Sequence, residues 1–372
     1  MKLPLPIALA ALLCCTAASG QAPAPAAAGG RIALVSLQGG NAQIYTVRAD
    51  GSGHQALTQG PAENFQPAWS PDGRHIAFSS ARGGDGSLDI YVMDADGGNL
   101  KRLTDHAAPD DAPVWSPDGR QIVFRSYRDR HAALYLMDAD GRNLRRLTPA
   151  DADKGQPRWS PDGRHIAYEV SRGVGKNELH LVKVEGGEPV NLSARLGKGT
   201  PVQTAWAPDG RRLAVVMAKP SGEQHIHVVK LDGSPSIDLT PDAFISNQPA
   251  WSPDGQRIAF VSNRYGDMLS RAAGDVYVMN ADGSGAVNLT RHPAADDEPR
   301  WSADGRTVFF LSLRDGISRL YAIDLEGGPA RPVTASTSHD IVYSLAPESS
   351  PAPQAAHRPV GVAALPAPKA TP

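Results

Sequence analysis

Cysteine is nearly missing from this 372-residue chain: the two present, Cys14 and Cys15, sit close to the start. Beyond them no disulfide is possible, so any fold must stand on a packed core rather than on cross-links. An excess of one charge is missing too. With 37 Lys and Arg against 39 Asp and Glu, the formal net charge is −2. No global field draws nucleic acid or an anionic membrane. Nor is there a long apolar run. Leu3 to Leu13 is apolar but interrupted by Pro4 and Pro6, and it is too short to cross a bilayer as a helix. Aromatic residues make up only 6% of the chain, and all six tryptophans occupy one recurring position.

The first residues read as a secretory leader: Met1 and Lys2, the apolar stretch, then the small residues Thr16 to Gly20. Cleavage after Gly20 removes one Lys and both cysteines, leaving 36 basic against 39 acidic residues, a net −3. The expected location is periplasmic or secreted. A lipoprotein acylated on a cysteine beside the cleavage site is the alternative, although Leu13 is bulky for that signal. Residues 21–30 read as a linker of Ala, Pro, Gly and Gln, and 349–372 as a disordered Pro/Ala-rich tail.

Between these ends the chain repeats. Trp69-Ser70-Pro71-Asp72-Gly73 returns at Trp115, Trp159, Trp206, Trp251 and Trp301, with spacings of 46, 44, 47, 45 and 50 residues. A period of roughly 40–50 residues with strand-like content marks a β-propeller. In one unit, Gln66 to Trp69 reads as a first strand and Ser70 to Gly73 as a turn. Arg74 to Ser80 is a second strand, Asp89 to Asp94 a third and Leu100 to Thr104 a fourth. Asp94 to Gly97 closes the hairpin between the last two. Four antiparallel strands make one blade.

A Leu-Thr pair or a close relative ends each fourth strand, at Thr58, Thr104, Thr148, Ser193, Thr240, Thr290 and Thr334. That makes seven endings for six tryptophans. Residues 31–58 supply a second, third and fourth strand without a first. In five places Trp follows Thr by 11 residues, and 11 beyond Thr334 stands Leu345, in a worn copy of the motif. Ile341 to Ala346 is therefore expected to complete the blade begun at residue 31 and close the ring. The expectation is an all-β chain, a seven-bladed β-propeller over 31–348, with six blades as the rival count.

The units Trp-Ser-Pro-Asp-Gly-(Arg/Gln)-x-Ile-Ala-Phe, Asp-Ile-Tyr-Val-Met-Asp-Ala-Asp-Gly and Leu-Thr resemble the TolB-type propeller repeat, the WD40-like or PD40 repeat, over about 85% of the chain. TolB carries an α/β domain before its propeller and binds partner proteins in the Tol-Pal envelope system. Only about ten linker residues precede the first blade here, so the resemblance implies a TolB-like propeller without that domain. The repeat also resembles the propellers of prolyl oligopeptidase-like peptidases. Those need a Gly-x-Ser-x-Gly elbow, which this sequence does not contain.

A propeller divides its loops between two faces. The Ser-Pro-Asp-Gly and Asp-Ala-Asp-Gly turns share one; the loops after the second strands and the blade linkers share the other. Variable length and composition mark the second as the binding face. It carries Arg82, Arg128, Arg172, Arg264 and Arg314, with Asp110, Asp111, Asp151, Asp153, Asp296, Asp297 and Glu298 nearby. Functionally these arginines would ring the channel mouth and receive an acidic peptide. Architecturally they would be inter-blade ion pairs repeated with the fold. The insertion 263–274 adds Tyr265, Met268, Leu269 and Arg271, a mixture suited to a protein contact.

His225 and His227 share one strand face, but His227 stands where other blades have Tyr91, Tyr135, Tyr277 and Tyr321, and His180 fills the same slot in the preceding blade. They read as aromatic exchanges rather than half a metal site. The Asp-Ala-Asp-Gly turns lack the distal ligands of a calcium loop. The repeated tryptophans read as wedges between blades. The functional expectation is a monomeric, exported, non-catalytic propeller that binds a protein or peptide of the cell envelope and needs no cofactor or metal. The alternative is an enzyme or a small-ligand or carbohydrate binder using the central channel.

Overall fold

The computed structural model describes residues 30–84, 86–243, 245–264 and 274–347. These residues form seven antiparallel sheets, each built outward from an inner strand. Blades 2 to 7 follow the chain in order. Blade 2 is representative, with Asn64–Trp69 innermost, then His75–Ser80, Asp89–Asp94 and the two-residue outer strand Lys101–Arg102. Blade 1 takes its outer three strands from Arg31–Ser36, Gln43–Arg48 and Gln55–Ala56. Its inner strand is Asp340–Leu345, paired so that Leu345 faces Ile32 and Tyr343 faces Leu34. The ring is thus closed by the two ends of the repeat, at the worn seventh copy. Among the described residues no helix is long and apolar enough to cross a membrane.

The outer strands are shorter than the sequence pattern suggests, and the Leu-Thr pair explains why. Leu103 still donates its N–H to the Ile90 carbonyl, but the Thr104 hydroxyl accepts the Ile90 N–H at 3.0 Å in place of a backbone partner. The same hydroxyl bond recurs in every blade, through Thr58, Thr148, Ser193, Thr240, Thr290 and Thr334. A side chain finishes the ladder, and the backbone is released toward the next blade.

Each tryptophan lies at the seam with the preceding blade. The indole N–H of Trp115 donates to the Ala68 carbonyl at 3.1 Å, and Trp159 to Val114 in the same way. Trp206 and Trp301 repeat the bond to Arg158 and Ala250. Around them, apolar clusters join neighbouring blades, as when Trp115 packs with Ala77, Ile90, Ile122 and Phe124.

Proline is tolerated on the inner strands because that edge faces the channel and needs no ladder donor. Before Pro67, Pro113, Pro249 and Pro299 the register shifts, and the preceding residue takes positive φ: Gln66, Ala112, Gln248 and Glu298 lie at 52–54°. The shift turns the backbone N–H sideways toward the neighbouring blade. Ala112, Gln248 and Glu298 thereby donate to the side-chain oxygens of Gln66, Gln203 and Gln248, at 2.7–2.8 Å.

Candidate functional site

The loop-face arginines are held within their own blades. Arg128 lies over the Phe124 and Tyr135 rings, donates to Ser126 Oγ at 2.8 Å and pairs with buried Asp110 at 2.8 Å. Arg314 repeats this with Phe310, Tyr321, Ser312 and Asp296. Arg82 lies over Phe78 and Tyr91 and donates to Ser80 and Asn64. Arg264 lies over Phe260 and Tyr277, with Asp242 at 3.6 Å. Arg82, Arg128 and Arg314 each clamp the end of a second strand to the first residue of their own inner strand, so these repeated contacts run within blades and not between them, whereas Asp242 stands in the linker that leads into the inner strand of blade 6. Arg172 is the exposed member, held by Asp151 at 3.1 Å and Glu178 at 2.9 Å. Tyr265, Met268, Leu269 and Arg271 lie outside the described residues.

The histidines of blade 5 converge on one carboxylate. His225 Nδ1 is 2.8 Å from Asp238, and His227 Nε2 is 3.7 Å from the same oxygen. Burial holds the His227 imidazole below its ordinary range. Among the described residues no group of three or more His, Cys, Asp or Glu is placed to hold a metal. In blade 4, His180 meets Tyr168 at 5.8 Å between ring centroids, much as Tyr91 meets Phe78 at 5.9 Å.

The inner strands leave an open cavity of about 390 Å³ in the middle of the ring, with Arg158, Gln203, Gln248, Glu298 and Arg300 on its wall. Arg158 and Arg300 stand at one sequence position, the residue before Trp. Blades 2, 3 and 6 have Ala68, Val114 and Ala250 there, so Pro-Ala-Trp or Pro-Val-Trp becomes Pro-Arg-Trp in blades 4 and 7. This irregularity is visible in the sequence. It escapes a reading that uses the motif as a ruler and looks for function only in the loops.

Arg158 donates to the Pro157 carbonyl at 3.1 Å and to Gln156 Oε1 at 3.2 Å. Its guanidinium is wetted by the channel yet ringed by protein, and desolvation pulls its pKa down. Glu169 and Glu298 act against that pull, while the charge of Arg300 adds to it. Arg300 has Glu298 at 3.3 Å and lies over the Tyr343 ring.

Glu169 is packed behind the wall, where the inner strand of blade 4 is split into Asp153–Lys154 and Arg158–Trp159. Gly155 spans part of the gap: a Cβ there would lie 2.9 Å from Glu169 Oε2 and 3.3 Å from its Cβ. Burial raises the Glu169 carboxyl above its usual range, although Thr204 Oγ1 donates to it at 2.7 Å and Arg158 lowers it further.

At the loop-face end of the channel a second cavity, also about 390 Å³, is lined by Asp297, Glu298, Asp340 and His339. Burial raises the Asp297 carboxyl, and Glu298 and Asp296 add to the shift. The channel is therefore polarised, acidic toward the loops and guanidinium-bearing toward the turns. The turn face is also not flat. Grooves of about 630 Å³ and 640 Å³ open there, between blades 2 and 3 and between blades 6 and 7.

Comparison with known proteins agrees with this architecture. The TolB beta propeller domain model matches residues 84–196 and 129–272, together just over half the chain, and the Tricorn protease N-terminal beta propeller domain model matches 22–134. The Tol-Pal system protein TolB of Desulfosudis oleivorans is 40% identical over 58 residues, 16% of this chain and 13% of that protein. TolB from Acinetobacter baumannii aligns at TM-score 0.53 and 24% identity, covering 69% of this chain and 62% of that one. Oligogalacturonate lyase from Vibrio parahaemolyticus shares the fold at TM-score 0.64 and 16% identity, covering 79% and 86%. The chain thus spans about an eighth of its curated TolB relative and under two thirds of the TolB structure. Matched over more than half its length and built of seven four-stranded blades, the chain belongs to the TolB beta propeller domain family.

Proposed function

We propose that this protein is an exported, non-catalytic propeller that binds a protein or peptide partner of the cell envelope through its central channel. The observation that carries the reading is the composition of the channel wall. The Gln203 and Gln248 side-chain oxygens are spent on the next blade, which leaves their amide NH₂ groups as unused donors among the described residues. Two guanidiniums stand beside them. Donors of this kind suit the carbonyls and carboxylates of an extended polypeptide. The leader-like residues 1–20 and the family relationship support an envelope location.

The competing reading places a small ligand or carbohydrate in the channel, as the shared fold of oligogalacturonate lyase allows. The two are separated by capture from envelope extract with the full chain, followed by metal analysis of the purified protein. Saturable capture of a protein, competed by untagged chain, is the expected result. Stoichiometric metal with no protein captured would overturn the reading.

A further inference from the structure

The residue before the inner-strand Trp is small and uncharged in five blades: Ala68, Val114, Ala205, Ala250 and, before Leu345, Ser344. Only blades 4 and 7 place an arginine there, and both arginines reach the same cavity. Among the described residues no carboxylate lies within ion-pair distance of Arg158. Its hydrogen bonds go to Gln156 and Pro157, its own neighbours in the chain. The nearby Glu169 carboxylate is engaged by Thr204, and Glu298 is the partner of Arg300. A guanidinium has five N–H donors in a planar fork, so most of those on Arg158 remain unused. Two like charges sharing one cavity also repel, and an anion between them relieves the repulsion.

We infer that Arg158 and Arg300 form a carboxylate-binding site for an acidic segment of a protein, which enters the channel from the turn face. The inference rests on the reading that the partner is a polypeptide, and it specifies the partner's charge and its route. A segment arriving at the loop face would first meet Asp297, Glu298 and Asp340. From the turn face it meets the guanidiniums first, because they lie one residue from the Trp end of each inner strand. In most of the turns on that rim an arginine follows the aspartate, and in blade 6 Asp254 is followed instead by Gln256. Asp72, Asp118, Asp162 and Asp304 each accept backbone N–H groups within their turns, and Arg74, Arg120, Arg164 and Arg306 follow them. Beyond the arginines, the unused amides of Gln203 and Gln248 can take the carbonyls of the entering chain. A cavity of about 390 Å³ admits an extended segment and not a folded domain.

The test uses the full chain and three fluorescent probes: hexaglutamate, hexaglutamine and hexagalacturonate. Hexaglutamate is expected to bind, with hexaglutamine much weaker. Arg158→Ala and Arg300→Ala should each weaken binding about tenfold or more. These variants restore the Pro-Ala-Trp of blades 2 and 6, so the strand is kept, and unchanged circular dichroism verifies it. Arg172→Ala on the loop face should leave affinity unchanged. Failure of hexaglutamate to bind, or binding indifferent to both arginines, overturns the inference. If an envelope protein is still captured in that case, the partner reading survives without it. Tighter, arginine-dependent binding of hexagalacturonate overturns both together.

Discussion

Trp115→Phe, set beside Trp251→Phe, isolates what the indole contributes to the blade seams. Both tryptophans are buried, at 8% exposure. The Trp115 N–H donates to the Ala68 carbonyl, whereas the Trp251 N–H has no acceptor among the described residues and the ring instead lies under the Arg212 guanidinium. Replacing Trp with Phe removes similar apolar area at each site, so that part of the loss should match. The hydrogen bond should add about 1 kcal/mol at position 115 only. Full truncation gives the scale. Burying about 150–250 Å² at roughly 25 cal/mol per Å² is worth roughly 4–6 kcal/mol, against about 3–5 kcal/mol for core Trp→Ala changes. The assay is equilibrium urea unfolding of each variant with the slope held constant. Equal losses for the two Phe variants would refute the indole bond as a contributor. A loss below about 1 kcal/mol for Trp115→Ala would refute the seam as a core.

Two further predictions follow from particular hydrogen bonds and charges. Thr148→Val leaves the buried Leu134 N–H without its hydroxyl acceptor and should cost about 1–3 kcal/mol by the same urea titration; a change within error would mean the Leu-Thr signature is not a ladder terminus. Glu169, raised by burial, favours its protonated form when folded, so its ionisation destabilises the fold as pH rises past the unfolded range near about 4.3. The Tm of Glu169→Gln relative to wild type should therefore climb between about pH 4 and pH 8, and a flat or falling difference would reverse the assignment.

The blade count and the ring closure were legible because they depend on spacing. The Thr-to-Trp interval located Leu345 as the seventh inner strand even though its Trp and Asp are gone. Thr104 was legible as a marker but not as a hydroxyl acceptor, because its partner, Ile90, lies across a hairpin and only geometry brings the two together. The loop-face arginines were legible as a repeated set. Whether they point outward or lie on their own aromatic pairs is a side-chain choice, decided by Ser126 and Asp110 for Arg128. Arg158 and Arg300 were written plainly in Pro-Arg-Trp, yet their meeting is non-local. Three blades' worth of sequence separates them, and only the closed ring puts both guanidiniums in one cavity.

The most direct test of channel binding is site-specific photo-crosslinking in envelope extract. A benzophenone side chain is placed at Gln203 in the channel and, in a second protein, at Val190 on an outer strand. A protein adduct that forms from position 203, is absent from position 190 and disappears when Arg158 and Arg300 are both Ala is the predicted result. Equal adducts from both positions, or an adduct from the outer strand alone, would contradict it.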